Sequence, residues 1–304
     1  MLQTGKQVLK KASKGGYAVG HFNFSNLESL KAIVQAAQNT NSPVFAATSE
    51  GGIEYGGVDY LAAIAKIAAK NAKVPVVLHL DHGKDMRYIN AAITHGYTSI
   101  MIDASSFPLK ENIRITKKVV ILCHQKGISV EAELGCLQGI EDKVSEKESI
   151  FTSPKEAVYF VKETGVDSLA ISVGTSHGAY KFKGRSRIDI ARIRLIKKLL
   201  NIPLVLHGAS GVPHSLVAIA EKYGAKLGDA HGVSDTTYRQ AIAAGINKIN
   251  VDTDLRLAFD AGIRKTLKEN PSVFDPRKIL GPSTLLMTKV IEQKMKVFGS
   301  AGKA

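Results

Sequence analysis

The sequence predicts a closed (β/α)8 barrel, a TIM barrel, from three observations. Apolar stretches of strand length alternate eight times with stretches of helical periodicity. Those strand stretches are apolar throughout rather than alternating, as in a parallel sheet covered by helices. The chain of 304 residues carries no Pro-, Gly- or Ser-rich linker, and one barrel fills that length. An open doubly wound sheet is the alternative, but no Gly-x-Gly-x-x-Gly follows the first strand to support its dinucleotide-binding form. The expectation is a single domain, residues 1–304.

In chain order the expected strands are 17–24, 43–48, 75–80, 98–102, 128–133, 167–173, 203–207 and 248–251. The expected helices are 27–39, 59–70, 86–95, 110–125, 154–164, 189–200 and a long region containing 236–244. Ser153 as N-cap with Pro154 at the first helical position marks the start of the fifth. Beyond the last strand, 283–298 spaces Met287, Ile291, Met295 and Phe298 along one helical face, opposite Lys289, Glu292, Lys294 and Lys296. This extra C-terminal helix packs either on its own barrel or on a second subunit. Residues 135–153 form a long polar loop of the kind that serves as a lid, and 223–233 read as a surface connection.

Composition bounds the function. Hydrophobic residues make up 44% and charged residues 22%, ordinary for a soluble globular protein. No apolar run reaches the roughly 18 residues of a membrane span, and the N-terminus lacks a signal-peptide core. Cys123 and Cys136 form no Cys-x-x-Cys pair, so neither a disulfide framework nor a thiolate zinc site is indicated. A cytoplasmic protein without membrane contact is expected. The net charge of +14 admits nucleic-acid binding, but the lysines are scattered and no run of five basic residues occurs. No nucleic-acid partner is therefore expected; some of the charge suits a phosphorylated substrate.

Barrel enzymes place their chemistry where strands end. Three segments end in His-Gly: His82-Gly83 after Val77-Leu78-His79-Leu80-Asp81, His177-Gly178 after Gly174-Thr175-Ser176, and His207-Gly208 before Ala209-Ser210-Gly211. Three neutral imidazoles suit a catalytic zinc with one open position, though cobalt or iron fits the same ligands. His21 and His79, inside strands, read as core histidines, and His95, His124, His214 and His231 as solvated. Other polar residues at strand ends are Asn23, Ser49 with Glu50, Asp103, Glu131 with Glu133, and Asn250 with Asp252. Asp81 is either a helix N-cap, an imidazole-orienting partner, or a general acid/base beside the metal. Glu131 and Glu133 lie two apart on one strand face and could orient ligands or form another metal position with Asp103. No lysine is expected deep in a strand, where burial could lower its pKa for imine chemistry. The loops 207–211 and 250–253 follow strands seven and eight, where barrels often bind phosphate, and Ser210 and Thr253 offer donors.

Together these motifs resemble the class II, metal-dependent fructose-bisphosphate aldolases. The resemblance runs through Gly20-His21-Phe22-Asn23-Phe24, Leu78-His79-Leu80-Asp81-His82-Gly83, Ile102-Asp103-Ala104-Ser105, Val130-Glu131-Ala132-Glu133-Leu134-Gly135, Gly174-Thr175-Ser176-His177-Gly178, the 207–211 loop and Asn250-Val251-Asp252-Thr253-Asp254. The closely related tagatose-bisphosphate aldolases share nearly all of them. The resemblance implies cleavage of fructose 1,6-bisphosphate, with tagatose 1,6-bisphosphate as the alternative. It implies a zinc on His82, His177 and His207, a second metal position at Asp103 and Glu133, Asp81 as acid/base at the C4 oxygen, and Glu141 moving the proton at the nucleophilic carbon. Gly178, Lys181, Gly208, Ala209, Ser210, Asn250, Val251, Asp252 and Thr253 would bind the ketose phosphate beside a monovalent cation, Na+ or K+. Asn23 and Ser49 would line the substrate site, and Arg277 would reach the far phosphate from a neighbouring subunit of a homodimer or homotetramer. His21 stands where the family often has a smaller residue. A zinc hydrolase on the same barrel would need an activated water rather than this phosphate clamp.

Overall fold

A computed structural model describes residues 1–136, 150–176, 188–228 and 231–304 in full and, between the first two stretches, the backbone of two short strands. The elements run α1 (Gly5–Gly15), β1 (Val19–Asn23), α2 (Leu27–Asn39), β2 (Val44–Ser49), α3 (Glu50–Gly56), α4 (Val58–Asn71), β3 (Val76–Gly83), α5 (Met86–Thr94), β4 (Ser99–Ile102), α6 (Leu109–His124) and β5 (Ser129–Leu134). The short pair β6 (Gly139–Glu141) and β7 (Val144–Glu146) comes next, then α7 (Pro154–Thr164), β8 (Ser168–Ile171), α8 (Ile190–Leu199), β9 (Leu204–Leu206), α9 (His214–Lys222), α10 (Asp235–Ala244), β10 (Ile246–Val251), α11 (Thr253–Glu269) and α12 (Pro276–Val297). Eight strands close into a barrel in the order β1-β10-β9-β8-β5-β4-β3-β2, all neighbours parallel; β6 and β7 pair antiparallel outside it. The expected TIM barrel is the observed one.

Caps explain the helix limits. The Ser153 side chain accepts the Glu156 N–H, Pro154 follows, and Gly165 ends α7 in a left-handed conformation. Four helices went unforeseen: α1, α3, α9 and α11. In α1, Thr4 and Gln7 form a capping box. Its buried face, Val8, Leu9 and Ala12, packs with Tyr17, Val19, Phe45 and Val77 to close the barrel floor. The 135–153 segment expected as plain loop contains the β6–β7 pair.

Strand alternation sorts the barrel wall. Phe22, Ala46, Leu78 and Leu80 join the large core between barrel and helices, whereas Val19, Phe45 and Val77 face inward onto the floor. One step above them the interior turns polar, with His21, His79, Glu131 and Lys248 at most 1% exposed. Lys248 overturns the expectation that no lysine lies deep in a strand. Its ammonium sits 2.9 Å from each oxygen of Glu131 and 5.2 Å from the Phe45 ring centroid. An amine so engaged by a carboxylate is not free to attack a carbonyl.

The C-terminal helix packs on its own barrel: Met287, Ile291, Met295 and Phe298 are buried within this chain, against α11 and α2. Lys294, expected on the solvent face, is buried too, at 4% exposure. Ile291→Ala leaves a cavity under α12 and should cost about 2–5 kcal/mol. Denaturant unfolding of the variant against the parent measures it.

Candidate metal centre

The C-terminal end of β3 is irregular. Its pairing with β4 shifts register between Leu80 and Gly83, and His82 adopts φ 46°, left-handed backbone uncommon for a residue with a side chain. Regular alternation would turn His82 away from Asp81; here ligand atoms of Asp81, His82 and His207 lie within 4.8 Å of one another. Gly83 allows this crowding, since a Cβ there would meet the Met101 carbonyl at 2.8 Å. Such backbone costs roughly 1–3 kcal/mol and persists where its surroundings hold it. Asp103 does the holding: its Oδ2 is 2.8 Å from His82 Nδ1, while Oδ1 accepts from the Ser105 hydroxyl at 2.7 Å and amide at 3.2 Å.

His207, just past β9, is fixed from below. Its Nε2 lies 2.9 Å from Glu131 Oε1, the carboxylate that Lys248 neutralises. Carboxylates accept only, so each holds a proton on the ring nitrogen it faces. Nε2 of His82 and Nδ1 of His207 are then left facing each other 3.1 Å apart. Glu133 Oε2, buried and without a hydrogen bond, lies 3.3 Å from that same Nδ1. His82, Asp103 and Glu133 also bring ligand atoms within 4.8 Å of one another. Converging imidazole nitrogens beside a buried carboxylate oxygen that makes no hydrogen bond are a donor set that suits a divalent cation.

Asp81 is held by amides. Asn23 Nδ2 donates to its Oδ2 at 2.9 Å and Asn250 Nδ2 to its Oδ1 at 3.2 Å, and His21 Nε2 lies 3.5 Å away. Burial alone would raise its pKa, but His21, His82 and His207 outweigh burial and hold it well below the usual carboxylate range. Asp81 is not a helix cap; Asp85 caps α5, accepting the Arg87 N–H at 2.7 Å.

The glycine-rich turn lies beside this cluster. Gly208 has φ 56°, and a Cβ there would sit 2.7 Å from the Ser176 carbonyl, so only glycine fits. Ser210 Oγ accepts the N–H groups of Asp252 and Thr253 at 3.2 and 3.1 Å, locking the turn to the first turn of α11. The side chains of Ala209 and Val251 point into the outer apolar core, so those two residues offer the site only backbone. The 223–233 connection is not purely surface, because Gly232 packs against Ser210 and Gly211 so tightly that a Cβ would overlap them at 2.3 Å.

Asn23, Ser49 and Asp252 line one cavity of about 240 Å³ next to the cluster. Ser49 also caps α3, accepting the Gly52 N–H at 3.1 Å. Arg256 lines the same cavity, 2.6 Å from Asp252, and was missed in the sequence. Its signal was the arginine one helical turn after Asp252-Thr253. Arg277 is not brought to the cluster; it lies in the first turn of α12, 90% exposed at its side chain and 2.8 Å from Asp275. His177, Gly178 and Lys181 lie outside the described residues, and Glu141 is described only as backbone, at the end of β6.

A family model described as class-II fructose-bisphosphate aldolase matches residues 3–303. Fructose-bisphosphate aldolases of Thermus caldophilus and Helicobacter pylori are 48% and 47% identical to this chain, each over the whole of both chains. Among solved structures, the YdjI aldolase of Escherichia coli K12 matches with TM-score 0.83 and 33% identity, over all of both chains. The Campylobacter jejuni fructose-bisphosphate aldolase matches in fold, with TM-score 0.79 and 23% identity, over 100% of this chain and 97% of that one.

Burial alone would lower the His82 pKa, but Asp81, Asp103 and Glu133 raise it to about 10. A raised pKa contributes stability that is complete below the ordinary 6.5 and is lost as pH rises through about 10. Chelator-treated protein should therefore lose stability across that window. A divalent metal added near pH 8 should displace protons, measured by calorimetry in buffers of differing ionisation enthalpy.

Proposed function

The chain belongs to the class II fructose-bisphosphate aldolase family, and from that premise we propose that it catalyses reversible aldol cleavage of fructose 1,6-bisphosphate to dihydroxyacetone phosphate and glyceraldehyde 3-phosphate. The observation that carries the reading is the pair of imidazole nitrogens, 3.1 Å apart, with an ionised aspartate beside them. We read residues 1–304 as one catalytic domain, supported by the family match over 3–303.

His82, His177 and His207 hold zinc, with Asp103 and Glu133 marking a second divalent position. Zinc supplies a Lewis acid for negative charge developing on the ketone oxygen. Asp81, ionised and oriented by Asn23 and Asn250, takes the proton of the C4 hydroxyl. The C3–C4 bond then breaks: the aldehyde product leaves, and its bonding pair stays with the dihydroxyacetone phosphate half as an enediolate. Glu141 returns a proton to C3 of that half. Gly178, Lys181, the 208–210 turn and 250–253 hold the C1 phosphate with a monovalent cation, and Asn23, Ser49 and Arg256 face the other half of the sugar. Arg277, remote from this cluster in its own chain, reaches the far phosphate of a neighbouring subunit's substrate in a homodimer or homotetramer. No observation favours the C4 epimer, tagatose 1,6-bisphosphate, as substrate; kcat/KM on both sugars measures the preference.

Among the described residues, no helix is long and apolar enough to cross a membrane. Asp81→Ala should keep its zinc, by metal analysis, and lose about 10²–10⁴ in kcat; His207→Ala should lose both. Full activity after exhaustive EDTA treatment would overturn the reading.

A further inference from the structure

The phosphate turn is held from behind by three buried polar groups that the mechanism above does not use. Lys294, Asp254 and Tyr238 are 4%, 0% and 0% exposed. Lys294 Nζ lies 2.9 Å from Asp254 Oδ2 and donates to Tyr238 OH at 3.2 Å. Asp254 accepts the N–H of Gly211 at 3.0 Å and of Val212 at 2.7 Å, and Tyr238 OH donates to the Ala209 carbonyl at 2.6 Å. Val212 is thereby kept at φ 45°, a conformation that a β-branched residue does not hold unaided.

Tying down those three backbone groups decides which ones remain. Among the described residues, the N–H groups of Ala209 and Ser210, in residues at most 1% exposed, have no acceptor. Buried amides in that condition call for one, and a phosphate oxygen supplies it. Lys294 has a second effect. Without it, the Asp254 carboxylate would be an uncompensated buried anion directly behind the seat of a dianion. Gly211 makes room for the ammonium, since a Cβ there would sit 2.4 Å from Nζ.

We propose that Lys294 of the C-terminal helix is a positioning residue for the substrate phosphate, shaping and neutralising the 209–212 turn through Asp254 and Tyr238. This rests on reading that turn as a phosphate seat. The test compares zinc-loaded parent, Lys294→Met and Tyr238→Phe in two measurements: steady-state cleavage of fructose 1,6-bisphosphate, and the Kd of inorganic phosphate by calorimetry. Lys294→Met should raise KM and the phosphate Kd together by at least about tenfold, with kcat within about threefold and zinc content unchanged. Tyr238→Phe, which keeps the ring's edge-to-face contact with Phe298, should raise both by about threefold. Unchanged KM and Kd, or a fall in kcat with KM intact, overturns the proposal. If Lys294→Met does not fold, Tyr238→Phe decides by the same criteria. A parent that binds phosphate but does not cleave the sugar overturns the aldolase reading instead, and the phosphate Kd still tests Lys294.

Discussion

Glu131 is the constraint on which the site depends. A carboxylate in the middle of a closed barrel is tolerable only if its charge is met there, and Lys248 meets it with both oxygens engaged. Glu131 also accepts from Ser168 Oγ and lies 2.9 Å from His207 Nε2, and that last bond decides which nitrogen of His207 faces the mouth. Asp103 makes the same decision for His82 from the other side. The metal-directed geometry is therefore set by two carboxylates that lie one layer behind it.

The barrel is graded along its axis. Apolar side chains and α1 seal the floor, paired charges fill the middle, and the mouth carries the amides, imidazoles and carboxylates of the chemistry. The packed middle makes the upper layer rigid, as groups placed for a reaction must be. Two residues with side chains, His82 and Val212, take left-handed backbone at the mouth, and an aspartate ties each: Asp103 through the imidazole, Asp254 through the amide. Strain of this kind is affordable where the scaffold over-determines the conformation.

The repeating elements were legible because burial leaves a period in the sequence. Helices α2 and α7 fall where the pattern placed them, and all eight barrel strands were found. Helix α11 starts inside a motif read for its donors. Lys294 was placed on the solvent face and Lys248 went unread as a buried charge, since a lysine's partner is invisible when Glu131 is 117 residues away and Asp254 lies on another helix.

The sequence by itself determined the barrel, the strand ends at which chemistry collects, and the residue types gathered there, because periodicity and strand termini are local properties of the chain. Only the tertiary structure decided which nitrogens of His82 and His207 face each other, that Asp81 is cradled by Asn23 and Asn250 rather than capping a helix, and that two lysines serve inside the protein rather than on its surface. Each of those outcomes is a pairing between distant segments. Pairing energies depend on distance and burial, and these exist only once the barrel has closed.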